Sequence, residues 1–176
     1  MKKTKLERVV FCVDLSFAGQ KRTAIPDFEH NTLYLDVARG MPNTTYLRKV
    51  LHHEFFHIID LRDDGTFTED EGWAKENPAE FKYGTGGINA QDNSKTSVPN
   101  EDVPGFLNHY STTAIEEDKA EVFAHLVVDP NYYAERAKKD EVLSRKAKRM
   151  KKLIADFCTE ADGKFWESAS QERRGK

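Results

Sequence analysis

Residues 46–60 read YLRKVLHHEFFHIID, and this stretch decides the fold. Its apolar residues Leu47, Val50, Leu51, Phe55 and Ile58 recur three and four apart, which places them on one face of an α-helix. Gly40, Met41, Pro42 and Asn43 break the chain before it, and Asp63, Asp64 and Gly65 break it after, so a helix is predicted over Tyr46 to Asp60. Inside that helix stands His53-Glu54-Phe55-Phe56-His57, the pattern HExxH. Residues four apart share a helix face, so both imidazoles can reach one ion while Glu54 stands beside it. Neutral imidazole is a good zinc ligand, and a catalytic zinc takes a third protein ligand while leaving a position for water. The spacing marks His53 and His57 as ligands of Zn2+ and Glu54 as the base that activates water.

Two residues are candidates for the third ligand. The longer pattern HExxHxxGxxH would put it at Asp63, but Asp60 stands where that pattern needs its glycine. The other candidate is Glu117. Thr113-Ala114-Ile115-Glu116 has the form of a capping box, so a second helix is expected to start there and to end at Asp129-Pro130, with Ala120, Phe123, Ala124 and Val127 inside. Glu117 and Glu121 lie four apart on it, a spacing that suits a ligand and its support. Glu117 would bind the metal, and Glu121 would accept a hydrogen bond from the second ring nitrogen of a ligating histidine. His52 and His125 read as packing residues, His109 as a neighbour of the site, and His30 carries no signal.

Tyr110, followed by Glu117 and Glu121 in Tyr-x6-Glu-x-x-Ala-Glu-x-Phe, together with the HExxH helix, resembles the metallopeptidase family of the anthrax lethal factor catalytic domain and the Pro-Pro endopeptidases. Trp73-x3-Asn77-Pro78 and Phe81-x-Tyr83-Gly84 resemble a set of small bacterial zinc-binding metallopeptidases. The resemblance implies a zincin-like (gluzincin) α+β fold: a small N-terminal sheet, the HExxH helix and a helical C-terminal half. It also implies that Glu117 completes the zinc site and that Tyr110 assists the transition state. The expected activity is that of a zinc endopeptidase acting on a protein or peptide. The rivals are a zinc hydrolase of a non-peptide amide or peptidoglycan link, and a zinc-containing binding module without catalysis. Glu54 argues against the last, since a structural site has no need of a base.

The rest of the chain frames this site. Its 176 residues, 38% hydrophobic, suffice for one domain with a real core. A net charge of −3 gives no electrostatic reason to expect nucleic acid or an anionic membrane as a partner. The run Arg145 to Lys152 reads as the solvated face of a helix predicted over Glu141 to Phe157, with Leu143, Ala147, Met150, Ile154 and Phe157 as its apolar stripe. Val9 to Val13 reads as a buried strand. Leu33 to Val37 alternates like a half-buried strand and is expected at a sheet edge, where a substrate would add as a further strand. Trp73, Phe81 and Tyr83 are expected to pin a polar stretch that continues as a loop near 84–105, and the tail from Ser168 is expected to fray. Cys12 and Cys158 form no disulfide or thiolate-metal pattern. The mean hydropathy of −0.73 and the lack of a signal-peptide or membrane-spanning pattern favour a cytoplasmic protein or one delivered by a signal-independent route.

Overall fold

A computed structural model describes residues 6–40, 43–66, 68–86 and 97–171. Strand β1 (Arg8–Cys12) runs parallel to β5 (Thr32–Asp36), whose other side is taken by the antiparallel β4 (Ala24–Asp27). Between β1 and β4 the chain makes a two-stranded hairpin, β2 (Ser16–Phe17) and β3 (Gln20–Lys21). A short helix α1 (Val37–Gly40) leads from the sheet into α2 (Thr44–Asp64). After α3 (Glu71–Ala74) and a 3-10 turn at Tyr110–Thr112 come α4 (Ile115–Val128), α5 (Pro130–Lys139), α6 (Glu141–Phe157) and α7 (Gly163–Gln171). The chain is thus mixed α+β, with a small N-terminal sheet and a mostly helical C-terminal half. Among the described residues no helix is long and apolar enough to cross a membrane.

Two strand expectations are corrected. Leu33 to Val37 does not lie at an edge: β5 is the central strand, paired on both sides, and Val37 already belongs to α1. The edges belong to β1 and β4, and the apolar run of β1 is not buried, with Val9 40% and Phe11 68% exposed. The cause is the placement of the helical layer. α2 packs under β4 and β5, whereas β1 meets the short α1. An apolar run signals strand propensity but not which strand the helices cover.

Helix α2 starts two residues before and ends four residues after the predicted span. Asn43 accepts from the backbone N–H of Tyr46 at 2.9 Å and so caps the start. Asp63 and Asp64 do not stop the helix; Gly65 does, because its left-handed φ of 91° lets its N–H return to Leu61 O at 3.1 Å. Helix α4 starts later than expected, at Ile115. Thr113 Oγ1 bonds back to Tyr110 O at 2.7 Å instead of capping it, and Ala114 holds the cap position without a side-chain bond. Pro130 ends α4 but also opens α5, where its missing N–H costs nothing. Helix α6 has the predicted bounds. Helix α7 runs through Ser168 to Gln171, where fraying was expected, and residues 172–176 lie outside those described. Of the loop near 84–105, residues 87–96 also lie outside them.

The core forms where α2 crosses α4 and where α5, α6 and α7 close over α4. Phe56, Ile59, Trp73, Phe123, Tyr133, Leu143, Met150 and Ile154 belong to one buried cluster. Each such side chain contributes about 1.5–3 kcal/mol by leaving water. Because α4 is packed from several sides, its polar residues must find partners inside the protein, and those partners build the site.

Candidate metal centre

His53 and His57 lie one turn apart on α2, and Glu117 lies in the first turn of α4. Where the helices cross, His53 Nε2 is 2.9 Å from Glu117 Oε2 and 3.2 Å from His57 Nε2, and His57 Nε2 is 3.5 Å from Glu117 Oε2. These three atoms form a triangle whose sides bracket the edge, about 3.3–3.4 Å, of a tetrahedron with metal–ligand bonds of about 2.0–2.1 Å. All three residues are buried, with exposures of 6%, 7% and 9%. A buried group of two imidazoles and one carboxylate in this arrangement can hold a metal ion. Asp63, the rival third ligand, is exposed near the end of α2 and is not part of the group.

The second ring nitrogen of His53 meets Glu121: Nδ1 and Oε1 are 3.0 Å apart. Glu121 Oε2 in turn accepts from Asn108 Nδ2 at 2.8 Å, and Asn108 is braced by Ser111, whose backbone N–H donates to Asn108 Oδ1 at 2.8 Å. Asn108 is therefore a supporting residue that no sequence pattern indicated. Successive α4 residues point to different neighbours. Glu117 and Glu121 face the histidines, Asp118 faces α6 and Lys119 bonds Asp60 of α2.

Electrostatics follows from this packing. Burial alone would lower the His53 pKa, yet hydrogen bonds to Glu117 and Glu121 outweigh it and hold the imidazole well above its ordinary value. Burial opposes the charge on Glu117 and Glu121, but the histidines prevail and hold both carboxyls below the usual carboxylate range. Glu54 moves the other way. Its burial raises its pKa, with His53 and His57 only partly offsetting the effect. Asp60 is pushed up to about 6 by burial, against the pull of Lys119.

A cleft of about 960 Å3 opens beside His53, lined by His53, Glu54, Tyr110 and Glu121 together with Arg22 and Ala24 from the sheet side. The Tyr110 ring lies 5.9 Å from that of His53, so the 3-10 turn carries it against the metal group. A smaller hollow of about 480 Å3, walled by Phe17, Ile25, Pro26, Phe28 and Tyr34, shares none of these residues. No protein-family model, curated protein or solved structure matches the chain.

The loop aromatics serve α4. Trp73 Nε1 and Tyr83 Oη both donate to Asp118 Oδ2, at 2.8 and 2.6 Å, and Phe81 packs 4.4 Å from the ring of Phe106. His125 is buried; its Nδ1 bonds Glu121 O at 2.9 Å and its Nε2 is 3.1 Å from Lys49 Nζ, consistent with a neutral ring protonated on Nδ1. Burial lowers its pKa accordingly. His109 pairs with Asp102, and His52 makes an edge contact with Phe123.

Proposed function

We propose that the protein is a zinc-dependent endopeptidase with a zincin-like fold of the gluzincin type. The observation that carries this reading is the convergence of His53, His57 and Glu117 beside Glu54, at the edge of a cleft large enough for a peptide. The residues fit zinc in donor type, number and spacing. Zinc bound there would lower the pKa of water and polarise a carbonyl.

The remaining steps belong to the chain. Glu54, with its raised pKa, accepts the proton of the attacking water and later delivers it to the leaving amine. Tyr110 donates a hydrogen bond to the oxygen on which charge develops. Glu121, held by Asn108, fixes the ring of His53.

The strand along which a substrate would add is β4 rather than β5. Asp36 N–H donates to Thr23 O at 2.8 Å, so alternation along the ladder turns the backbone groups of Ala24 outward. Ala24 lines the cleft, and Pro26, which lacks an N–H, ends the usable edge. An extended peptide pairing at Ala24 would cross the metal group.

The decisive experiment incubates the zinc-loaded chain with a peptide library and reads cleavage by mass spectrometry. Cleavage at internal bonds, abolished by a chelator and restored by zinc, is expected. A protein that holds one zinc per chain and cuts no peptide would retire the reading.

A further inference from the structure

Arg22 follows the β2–β3 hairpin and lines the same cleft as His53 and Glu54. It is only 7% exposed. Its Nη2 donates to Gln20 Oε1 at 2.8 Å, and its backbone N–H donates to Leu15 O at 2.9 Å, so the residue is held in place. Its Nη1 is buried and finds no acceptor among the described residues. The other deeply buried cations are different: Lys119 is paired with Asp60 and Asp70, Lys146 with Asp118, and Arg136 lies 3.9 Å from Glu101.

A guanidinium cannot shed its charge by losing a proton, so burying one without a counter-ion is costly. A fold that keeps such a group at the wall of a cleft has a use for its free donor edge. Lys21, paired with Asp14, and Arg39 and Lys49 line the same cleft, where with Arg22 they outnumber the carboxylates of Glu54 and Glu121 and favour the entry of an anion. Arg22 also lies two residues before Ala24, at the end of the edge along which an extended peptide would lie.

We propose that Arg22 is the substrate anchor of this cleft and that its free Nη edge takes a carboxylate of the bound peptide. The planar fork of donors matches a carboxylate. That carboxylate is either the peptide's C-terminus or an Asp or Glu side chain near the scissile bond. The proposal rests on the peptidase reading for the identity of the ligand as a peptide.

The test measures binding, so that it does not depend on turnover. It uses the zinc-loaded full chain carrying Glu54→Gln, with and without Arg22→Gln. The probes are N-acetylated random pentapeptide pools in four forms: neutral with an amidated C-terminus, neutral with a free C-terminus, amidated with one Asp or Glu, and amidated with one Asn or Gln. We expect a carboxylate-bearing form to be retained about 10-fold or more over its neutral match, and this preference to vanish with Arg22→Gln. A preference for free C-termini assigns Arg22 to the terminal carboxylate, and a preference for Asp or Glu assigns it to a side chain. Equal retention of all four pools, or a preference that survives Arg22→Gln, overturns the proposal. Thermal unfolding adds a second readout. Removing an uncompensated buried charge should leave Tm unchanged or raise it, whereas a marked fall makes Arg22 a structural residue and overturns the proposal. If the zinc-loaded wild-type chain cuts no peptide, the peptidase reading fails while these binding ratios still decide the role of Arg22.

Discussion

Asp118 Oδ2 lies 2.7 Å from Lys146 Nζ, and both residues are fully buried. The same oxygen accepts from Trp73 and Tyr83, and Lys146 also donates to Gly105 O at 2.6 Å. Burial pushes the Asp118 carboxyl up and the Lys146 amine down, and their mutual attraction offsets part of each effect. Asp118 immediately follows Glu117, so this array fixes the rotation of α4 and with it the direction in which Glu117 points. The metal group on one side of α4 depends on an ion pair on the other.

Lys146→Met should therefore destabilise the protein strongly. It leaves Asp118 buried without its cation, a change that typically costs about 3–5 kcal/mol. Urea unfolding measures this, and a loss under about 1 kcal/mol would show that the pair does not hold α4. Replacing both partners, Lys146→Met with Asp118→Leu, should cost less than the two single changes added together, since no lone charge remains.

Glu117→Ala should weaken zinc binding severely, whereas Asp63→Ala should leave it nearly intact, because Glu117, and not Asp63, joins His53 and His57 in the buried group. Glu121→Ala should fall between, with a loss of about 10- to 100-fold in zinc affinity. Asn108→Ala should show a smaller loss of the same kind, since it acts through Glu121. Competition with a chromophoric chelator ranks the four. Zinc affinity that collapses for Asp63→Ala and survives Glu117→Ala would reverse the assignment.

What the sequence made legible follows from how local each signal is. The HExxH helix and α6 show strong helical periodicity, and Glu117 and Glu121 stand at ligand spacing on a third helix, so their common site could be anticipated. The roles of β1 and β5 were exchanged because strand burial depends on which strands the helices cover, a tertiary property. Helix α5 was missed because Pro130 reads equally as a stop and as a first helical residue. Lys146 sits inside a basic run that otherwise looks solvated, and its burial depends on Asp118, 28 residues away. Arg22 belongs to no motif. Only the fold places it beside Glu54.

Glu54→Gln should retain zinc and fold but lose most peptide cleavage. Gln keeps the size of the side chain and cannot accept the proton. Zinc content, Tm and turnover need to be measured on the same preparation. Cleavage at the wild-type rate with zinc bound would remove Glu54 from the mechanism.

The raised pKa of His53 gives a pH dependence with a definite sign. In the metal-free protein its folded pKa lies above the ordinary 6.5, so its contribution to stability is fully present below that value. That contribution is lost as pH rises through the higher folded pKa. Glu117 and Glu121 are shifted below 4.5, so their contribution is present above that value and lost as pH falls through their folded pKa. Zinc must displace the proton from His53 Nε2, so its apparent affinity should climb about 10-fold per pH unit up to the raised pKa of His53. Chelator competition between about pH 6 and pH 8 measures the slope. A flat profile would mean that His53 is already neutral before the metal binds.

The last prediction concerns Tyr110, whose ring lies 5.9 Å from His53 at the edge of the cleft. The residue is 9% exposed, so its ring contributes to packing whatever its hydroxyl does. Tyr110→Phe separates the two roles, because it keeps the ring and removes only the oxygen. If the hydroxyl donates to the oxyanion, kcat should fall about 100-fold or more, while zinc content and Tm stay close to wild type. KM should change little, since the bond strengthens only as charge develops. A structural role gives the opposite pattern, a lower Tm with kcat per folded molecule preserved. The 3-10 turn favours the first outcome. Thr113 Oγ1 and the Thr113 N–H both bond Tyr110 O, at 2.7 and 3.0 Å, so the backbone under Tyr110 is held at the start of α4, seven residues before Glu117. A phenol held at that point moves with the metal ligand, and a donor fixed relative to the metal is what oxyanion stabilisation requires.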